Sequence, residues 1–258
     1  METNKPNVLI VGATRGLGAS LVKIYVVSGA RVFGTSRSKE TPESTKDVTY
    51  IPGIDVAKED AGSKLAKHIG TTPLDVVIIT AGYFGTESFD EPNWDAEVKM
   101  YTTSSIGPVF IVHALAKASL LPKGSKIILV SSESGSITLR HESEGGGNYG
   151  HHASKAALNM VGKLLSFDLK EKGVAVGIVH PGFMRTEMTK GVGFDKFWDA
   201  GGAVKPEEAA ESLVKFVEGF DMNSTGEYWA PRGPGDIGTA EPVLGPKKDL
   251  STPLHLPW

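Results

Sequence analysis

The chain has 258 residues, enough for one large α/β domain, and 27 basic against 30 acidic residues give it a formal net charge of -3 at pH 7. That balance offers no surface for a polyanion, so nucleic acid is not an expected partner, and the lack of any cysteine excludes disulfides, thiolate catalysis and cysteine-ligated metals. No apolar run approaches a membrane span and the start, Met1-Glu2-Thr3-Asn4-Lys5-Pro6, has no apolar core behind it, so a cytoplasmic protein without membrane contact is expected.

Val8-Leu9-Ile10-Val11 is a four-residue apolar run, which predicts a buried strand. It leads into Gly12-Ala13-Thr14-Arg15-Gly16-Leu17-Gly18 and then a helix that stops at Ser28-Gly29, with Leu17, Leu21, Ile24 and Tyr25 on one apolar stripe. Strand, glycine turn and helix start together form a phosphate site. The glycines let backbone N–H groups close on an anion, and the helix N-terminus adds partial positive charge. No Gly-Lys-Ser/Thr follows, which disfavours a kinase-type phosphate loop. The next predicted strand, 31–35, ends at Ser36-Arg37 with no acid to hold a ribose 2′-OH. Arg37 and Arg15 bring two guanidiniums to that corner, which suits a 2′-phosphate and favours NADP(H) over NAD.

Further strands are predicted at 48–51, 75–79, 126–130 and 174–179, with a weaker one at 227–229. Helical patterns cover 60–69, 94–120, 154–171 and 206–220, the last opened by Pro206-Glu207-Glu208. This alternation predicts a Rossmann-type, doubly wound parallel α/β sheet of about seven strands with helices on both faces, as one domain over 1–258. Thr138–Gly150 and Gly233–Trp258 break the rhythm as Gly- and Pro-rich loops.

Taken in order over roughly Val8 to Trp229, these motifs resemble the short-chain dehydrogenase/reductase superfamily in its single-domain, NADP(H)-preferring branch. The resemblance places the cofactor on Gly12, Thr14, Arg15, Gly16, Leu17 and Gly18, with Ser36 and Arg37 at the second strand's end. It implies that Asp55-Val56 contacts the adenine. Thr80-Ala81-Gly82, standing where the family has Asn-Ala-Gly, would line the cofactor. Pro181-Gly182-Phe183-Met184-Arg185-Thr186 matches Pro-Gly-x-x-x-Thr, which implies contacts from Pro181, Gly182, Met184 and Thr186 to the nicotinamide carboxamide and a phosphate. A homo-oligomer, dimer or tetramer, built through the long helices flanking the fifth strand is also implied.

The family's catalytic group is Asn, Ser, Tyr and Lys, with Tyr four residues before Lys so that both share one helix face and Lys⁺ lowers the phenol pKa while gripping the ribose. Here Ser132 and Lys155 match, His151 stands in place of Tyr, and Ser104 in place of Asn. A nearby Lys⁺ and burial both push a His toward neutrality, so His151 is expected to be a scarce proton donor but a good neutral base. Tyr149, two residues earlier, is the other phenol. It points away from Lys155 on a continuous helix and serves only if it lies in the loop ahead of that helix.

No spaced third ligand accompanies His141-Glu142 or His151-His152, so no metal is expected. His180, Trp94 and Trp229 read as packing residues. The segment 187–204 stands where the family builds a substrate lid, and Met188, Phe194, Phe197 and Trp198 there suit a bulky apolar substrate. The tail 231–258 ends in Leu254-His255-Leu256-Pro257-Trp258, similar to chain ends that fold back on the sheet. Three readings follow: an NADP(H)-dependent oxidoreductase on a carbonyl/alcohol pair, with His151 or Tyr149 relaying the proton; a non-redox enzyme such as an isomerase, dehydratase or cyclase; or a non-catalytic NADP(H)-binding regulator.

Overall fold

The computed structural model describes residues 5–258. Eight strands form one sheet in the order β3-β2-β1-β4-β5-β6-β7-β8: β1 Asn7–Val11, β2 Arg31–Thr35, β3 Val48–Ile51, β4 Val76–Ile79, β5 Lys126–Val130, β6 Ala175–Val179, β7 Tyr228–Ala230 and β8 Leu254–His255. Among the described residues seven strands are parallel and β8 alone is antiparallel, pairing with β7 through Trp229–His255 and Ala230–Leu254. The order reverses between β1 and β4, so a crevice opens there at the carboxyl ends of the strands.

Each central strand is apolar on both faces because both are covered. Leu9 and Val11 of β1 join a cluster with Leu65, Ile111, Leu115 and Leu158. Val8 and Ile10 join the opposite cluster with Leu21, Ala210, Leu213 and Val217. The first face is covered by α2 (Ala61–Ile69), α4 (Gly107–Lys117) and α5 (Tyr149–Asp168), the second by α1 (Gly16–Val27) and α7 (Pro206–Gly219). The four apolar side chains of β1, Val8 to Val11, are fully buried, each contributing about 1.5–3 kcal/mol of transfer free energy.

Three expectations are corrected. The helical pattern at 94–120 is not one continuous α-helix: α3 (Trp94–Tyr101) passes through a π-helical segment, Thr102–Ile106, before α4. The helix expected from Ser154 begins at Tyr149, because Glu87 on a distant loop accepts the Gly150 N–H at 2.6 Å and so caps the helix from outside its own sequence. The tail is not mere loop. It supplies α8 (Ala240–Leu244) and the added strand β8, and closes a third core of Leu139, Ile178, Tyr228, Ile237, Leu254 and Leu256. Its end is tied down as well: Ser136 Oγ donates to Pro257 O at 2.7 Å, Thr138 N to Trp258 O at 2.9 Å, and Trp258 stacks on Tyr228. Among the described residues no helix is long and apolar enough to cross a membrane, and no cluster of three metal-ligating side chains occurs.

Candidate active site

The glycine turn sits at the β1/β4 crevice. Gly12 has φ +93°, and a Cβ there would lie 2.9 Å from Ala81 N, so the turn packs backbone to backbone against the end of β4. A Cβ on Gly18 would collide with Gly12 O. Thr80 Oγ1 faces Val11 O at 3.0 Å and Gly12 O at 2.9 Å, which fixes the turn's lower rim. Helix α1 begins after Arg15 with neither a side-chain cap nor an acid in its first turn, so its first N–H groups are free to meet an anion. Gly16 faces the Thr186 methyl, 3.5 Å from where a Cβ would stand, and Leu17 is buried in the core behind the turn. Thr14, Arg15 and Arg37 are exposed at the same rim.

Ser36 is buried. Its Oγ accepts the Ser38 N–H at 3.1 Å and donates to Glu40 O, so it shapes the turn that presents Arg37. Asp55 accepts the Ala57 N–H at 3.1 Å, and Val56 packs against Gly107. On the far side Pro181 and Gly182 are buried, Gly182 at φ +103°, Met184 bridges to Val204, and Thr186 caps α6 (Glu187–Gly191) by accepting the Thr189 N–H. The cradle of glycines, free helix N–H groups and exposed arginines fits a phosphorylated dinucleotide.

At the catalytic end α5 carries His151 and Lys155 one turn apart. Lys155 is 8% exposed, donates to Val130 O at 2.9 Å and lies beside Gly82, where a Cβ would stand 4.0 Å from Nζ; burial pushes its pKa down to about 8. His151 packs on Phe84, ring centroids 4.1 Å apart, with its Nδ1 buried and without a hydrogen-bond partner. Burial first, then the Lys155 and His152 charges, push its pKa down to about 3. At pH 7 roughly one molecule in ten thousand carries the imidazolium. The ring is therefore a neutral hydrogen-bonding group, and the expected good base is corrected: a group so hard to protonate is feeble both as an acid and as a base.

Tyr149 is inside the helix at its first position, not in the loop ahead of it; it is 42% exposed, with its hydroxyl over Gly146. Ser104 lies in the π-helical segment, buried, with an unpartnered Oγ, and that segment packs on α5. Ser132, at the end of β5, accepts the Ser134 N–H at 3.3 Å and donates to Glu133 Oε2 at 3.0 Å. Behind it Ser131 donates to Asn159 at 2.6 Å, locking β5 to α5, and Tyr228 donates its hydroxyl to Ser132 O.

Two residues of this constellation escaped the sequence. His180, read as packing, is 3% exposed, and its Nδ1 is 2.7 Å from Glu133 Oε2. Burial alone would raise the Glu133 carboxyl, but His180 and the Ser132 hydroxyl hold it well below the usual carboxylate range. Burial alone would lower His180, but Glu133 holds it above the ordinary value. The available signal was placement: Glu133 follows Ser132 at the end of β5, and His180 ends β6 next door.

Phe194 meets Phe84 edge-on at 5.4 Å, so the 187–204 segment reaches the ring that packs on His151. Trp198 instead donates its indole N–H to Thr189 at 3.2 Å, and half-exposed Phe197 packs on Phe194.

The sequence profile described as short chain dehydrogenase matches residues 6–196. The 1-hydroxy-2-glutathionyl-2-methyl-3-butene dehydrogenase of Rhodococcus sp. (strain AD45) is 28% identical over 223 residues, covering 86% of this chain and 94% of that protein. An uncharacterised oxidoreductase of Saccharomyces cerevisiae is 31% identical over 244 residues, covering 85% and 93%. Among solved structures, the carbonyl reductase Sniffer of D. melanogaster superimposes with a TM-score of 0.75 at 22% identity, covering 98% of this chain and 100% of that one. The NADPH-bound carbonyl reductase from chicken fatty liver superimposes at 0.73 and 21% identity, covering 92% and 94%.

Proposed function

This chain belongs to the short-chain dehydrogenase family, and from that premise we propose that it is an NADP(H)-dependent reductase acting on a carbonyl group of a bulky, largely apolar metabolite. The observation that carries the reading is Lys155, buried beside Gly82 and one helical turn from His151. A cation costs too much to bury for packing alone, and here it sits where it can grip a cofactor ribose.

The glycine turn would take the diphosphate on the backbone N–H groups around Gly12, Gly16 and Gly18, and Arg15 and Arg37 the 2′-phosphate. Asp55 and Val56 would border the adenine, and Thr80, Ala81 and Gly82 the bound cofactor. Pro181, Gly182, Met184 and Thr186 would hold the nicotinamide end. When bound, the reduced nicotinamide supplies the hydride. The chain's own part is at the carbonyl oxygen, where Ser132 hydrogen-bonds and His151 polarises with a neutral imidazole N–H, Ser104 lying behind the helix that carries it. Tyr149, turned toward Gly146, has the weaker claim. Phe84 and Phe194 would exclude water and favour an apolar substrate.

The expected partner is a second copy of the chain, since Val98, Ile106 and Phe110 of the first long helical stretch and Met160, Leu164 and Phe167 of α5 are apolar and exposed. Titration with NADPH and NADH by fluorescence, followed by NADPH oxidation against a panel of ketones and quinones, tests the reading. Equal affinity for the two cofactors removes the NADP(H) assignment; tight NADPH binding with no substrate reduced removes the reductase.

A further inference from the structure

With His151 neutral, the site needs another source for the proton that ends on the substrate oxygen. Ser132 alone is no source, because giving up its hydrogen would leave an alkoxide unless a neighbour resupplies it, and the neighbour its hydroxyl faces is Glu133 Oε2 at 3.0 Å. The same Oε2 lies 2.7 Å from His180 Nδ1. The Glu133 backbone N–H also points at Nδ1, from 3.1 Å, but that nitrogen has a single in-plane position to offer. A carboxylate oxygen and an imidazole nitrogen this close require a proton between them, so Nδ1 carries it; beside the ionised Glu133 the ring holds a second proton on its buried, unpartnered Nε2, and imidazolium and carboxylate form a proton-loaded pair. His180 is buried while Glu133 is one-third exposed, so the pair touches Ser132 on one side and solvent on the other.

We propose that Glu133 and His180 hold the proton that Ser132 delivers to the substrate oxygen. This rests on the reductase reading and adds a proton donor to it. As the carbonyl carbon is reduced, the electron pair driven onto its oxygen forms an O–H bond with the Ser132 hydrogen, and the Oγ–H bond breaks. The Ser132 oxygen takes the pair's proton through Glu133 Oε2, remaking Oγ–H and leaving His180 neutral and Glu133 ionised. Solvent then reloads the pair through the exposed edge of Glu133. Glu133 and His180 are thus positioning residues that act through Ser132, the group that touches substrate.

The charged and titratable groups around the pair set when it is loaded. Asp236 favours the proton on His180 and Arg232 opposes it, while His151 and Tyr228 face Glu133. Burial, and then the Lys155 and His152 charges, keep the His151 ring from competing for the proton against the pull of Glu133. Tyr228 also holds the Ser132 carbonyl, which keeps Oγ at the carboxylate.

The test uses protein labelled with 15N at histidine, wild type and Glu133→Gln, which keeps the side-chain size and removes its charge. Ring-nitrogen NMR of the wild type is expected to show His180 keeping its Nδ1 proton to a pH above the ordinary midpoint of about 6.5. In Glu133→Gln that midpoint falls. With NADPH and the best ketone, single-turnover reduction by Glu133→Gln slows at least about tenfold, a typical share for positioned proton transfer. Its rate is also lost at a lower pH than the wild type's, while NADPH affinity changes less than about twofold. His180→Gln, if it folds as judged by NADPH binding, gives the same slowing. An unchanged His180 midpoint in Glu133→Gln, or a wild-type reduction rate and pH profile in that variant, overturns the pair as donor and leaves the reductase standing. A wild type that binds NADPH and reduces nothing overturns both.

Discussion

Replacing His151 with Phe keeps a ring against Phe84 and deletes one titration, so it isolates the electrostatics at the heart of the site. A His whose folded pKa is depressed binds protons more weakly in the native state than in the unfolded chain. Its contribution therefore destabilises the fold as pH drops below the unfolded value of about 6.5, down to the folded value of about 3. Between pH 6.5 and 5 nearly the whole titration falls on the unfolded chain, and integrating it gives a loss of about 1.6 kcal/mol from this residue. Glu133 does not disturb that window, because its folded pKa lies below the carboxylate range and its stability is lost only at lower pH. The raised pKa of His180 acts above pH 6.5, where its contribution is lost as pH rises. Urea unfolding of wild type and His151→Phe at pH 6.5 and pH 5 measures the double difference, in which the other titrating groups cancel. The wild type should lose roughly 1–2 kcal/mol more than the variant over that interval. Equal losses would mean that His151 titrates normally and that its neutrality, with the mechanism built on it, is wrong.

Lys155→Ala should lower the reduction rate by about 100-fold or more, by removing the buried charge proposed to grip the ribose. In the wild type that grip fades as pH rises through about 8, seen as weaker NADPH binding in alkaline titrations. Arg37→Ala should weaken NADPH by roughly 10–100-fold and NADH by less than twofold, since a charge-assisted hydrogen bond is worth about 1.5–3 kcal/mol. Calorimetry with both cofactors reads that ratio directly. Met160→Glu should shift sedimentation toward a monomer without altering NADPH affinity; an unchanged oligomer would place the interface elsewhere.

Local pattern was enough wherever a short stretch carried its own reason to fold. The apolar run at β1 followed by the glycine turn is legible because strand burial, a positive-φ turn and an amphipathic helix are each written within a few residues. Lys155 stood out through the resemblance of the stretch Ala153 to Leu158, and the structure puts it one helical turn from His151. The start of α5 was not, because its cap, Glu87, lies 63 residues before Gly150 in the chain. The Glu133–His180 contact spans 47 residues and depends on β5 and β6 lying side by side in register. Strand β8 has two residues and pairs antiparallel, too short for any periodicity to show.

The stitching of the last residues onto the Ser136–Thr138 loop has a practical side. Pro257 and Trp258 bond to a loop that begins four residues beyond Ser132, and Trp258 lies flat on Tyr228, whose hydroxyl holds the Ser132 carbonyl. Replacing Trp258 with Ala should therefore slow substrate reduction while leaving NADPH affinity intact.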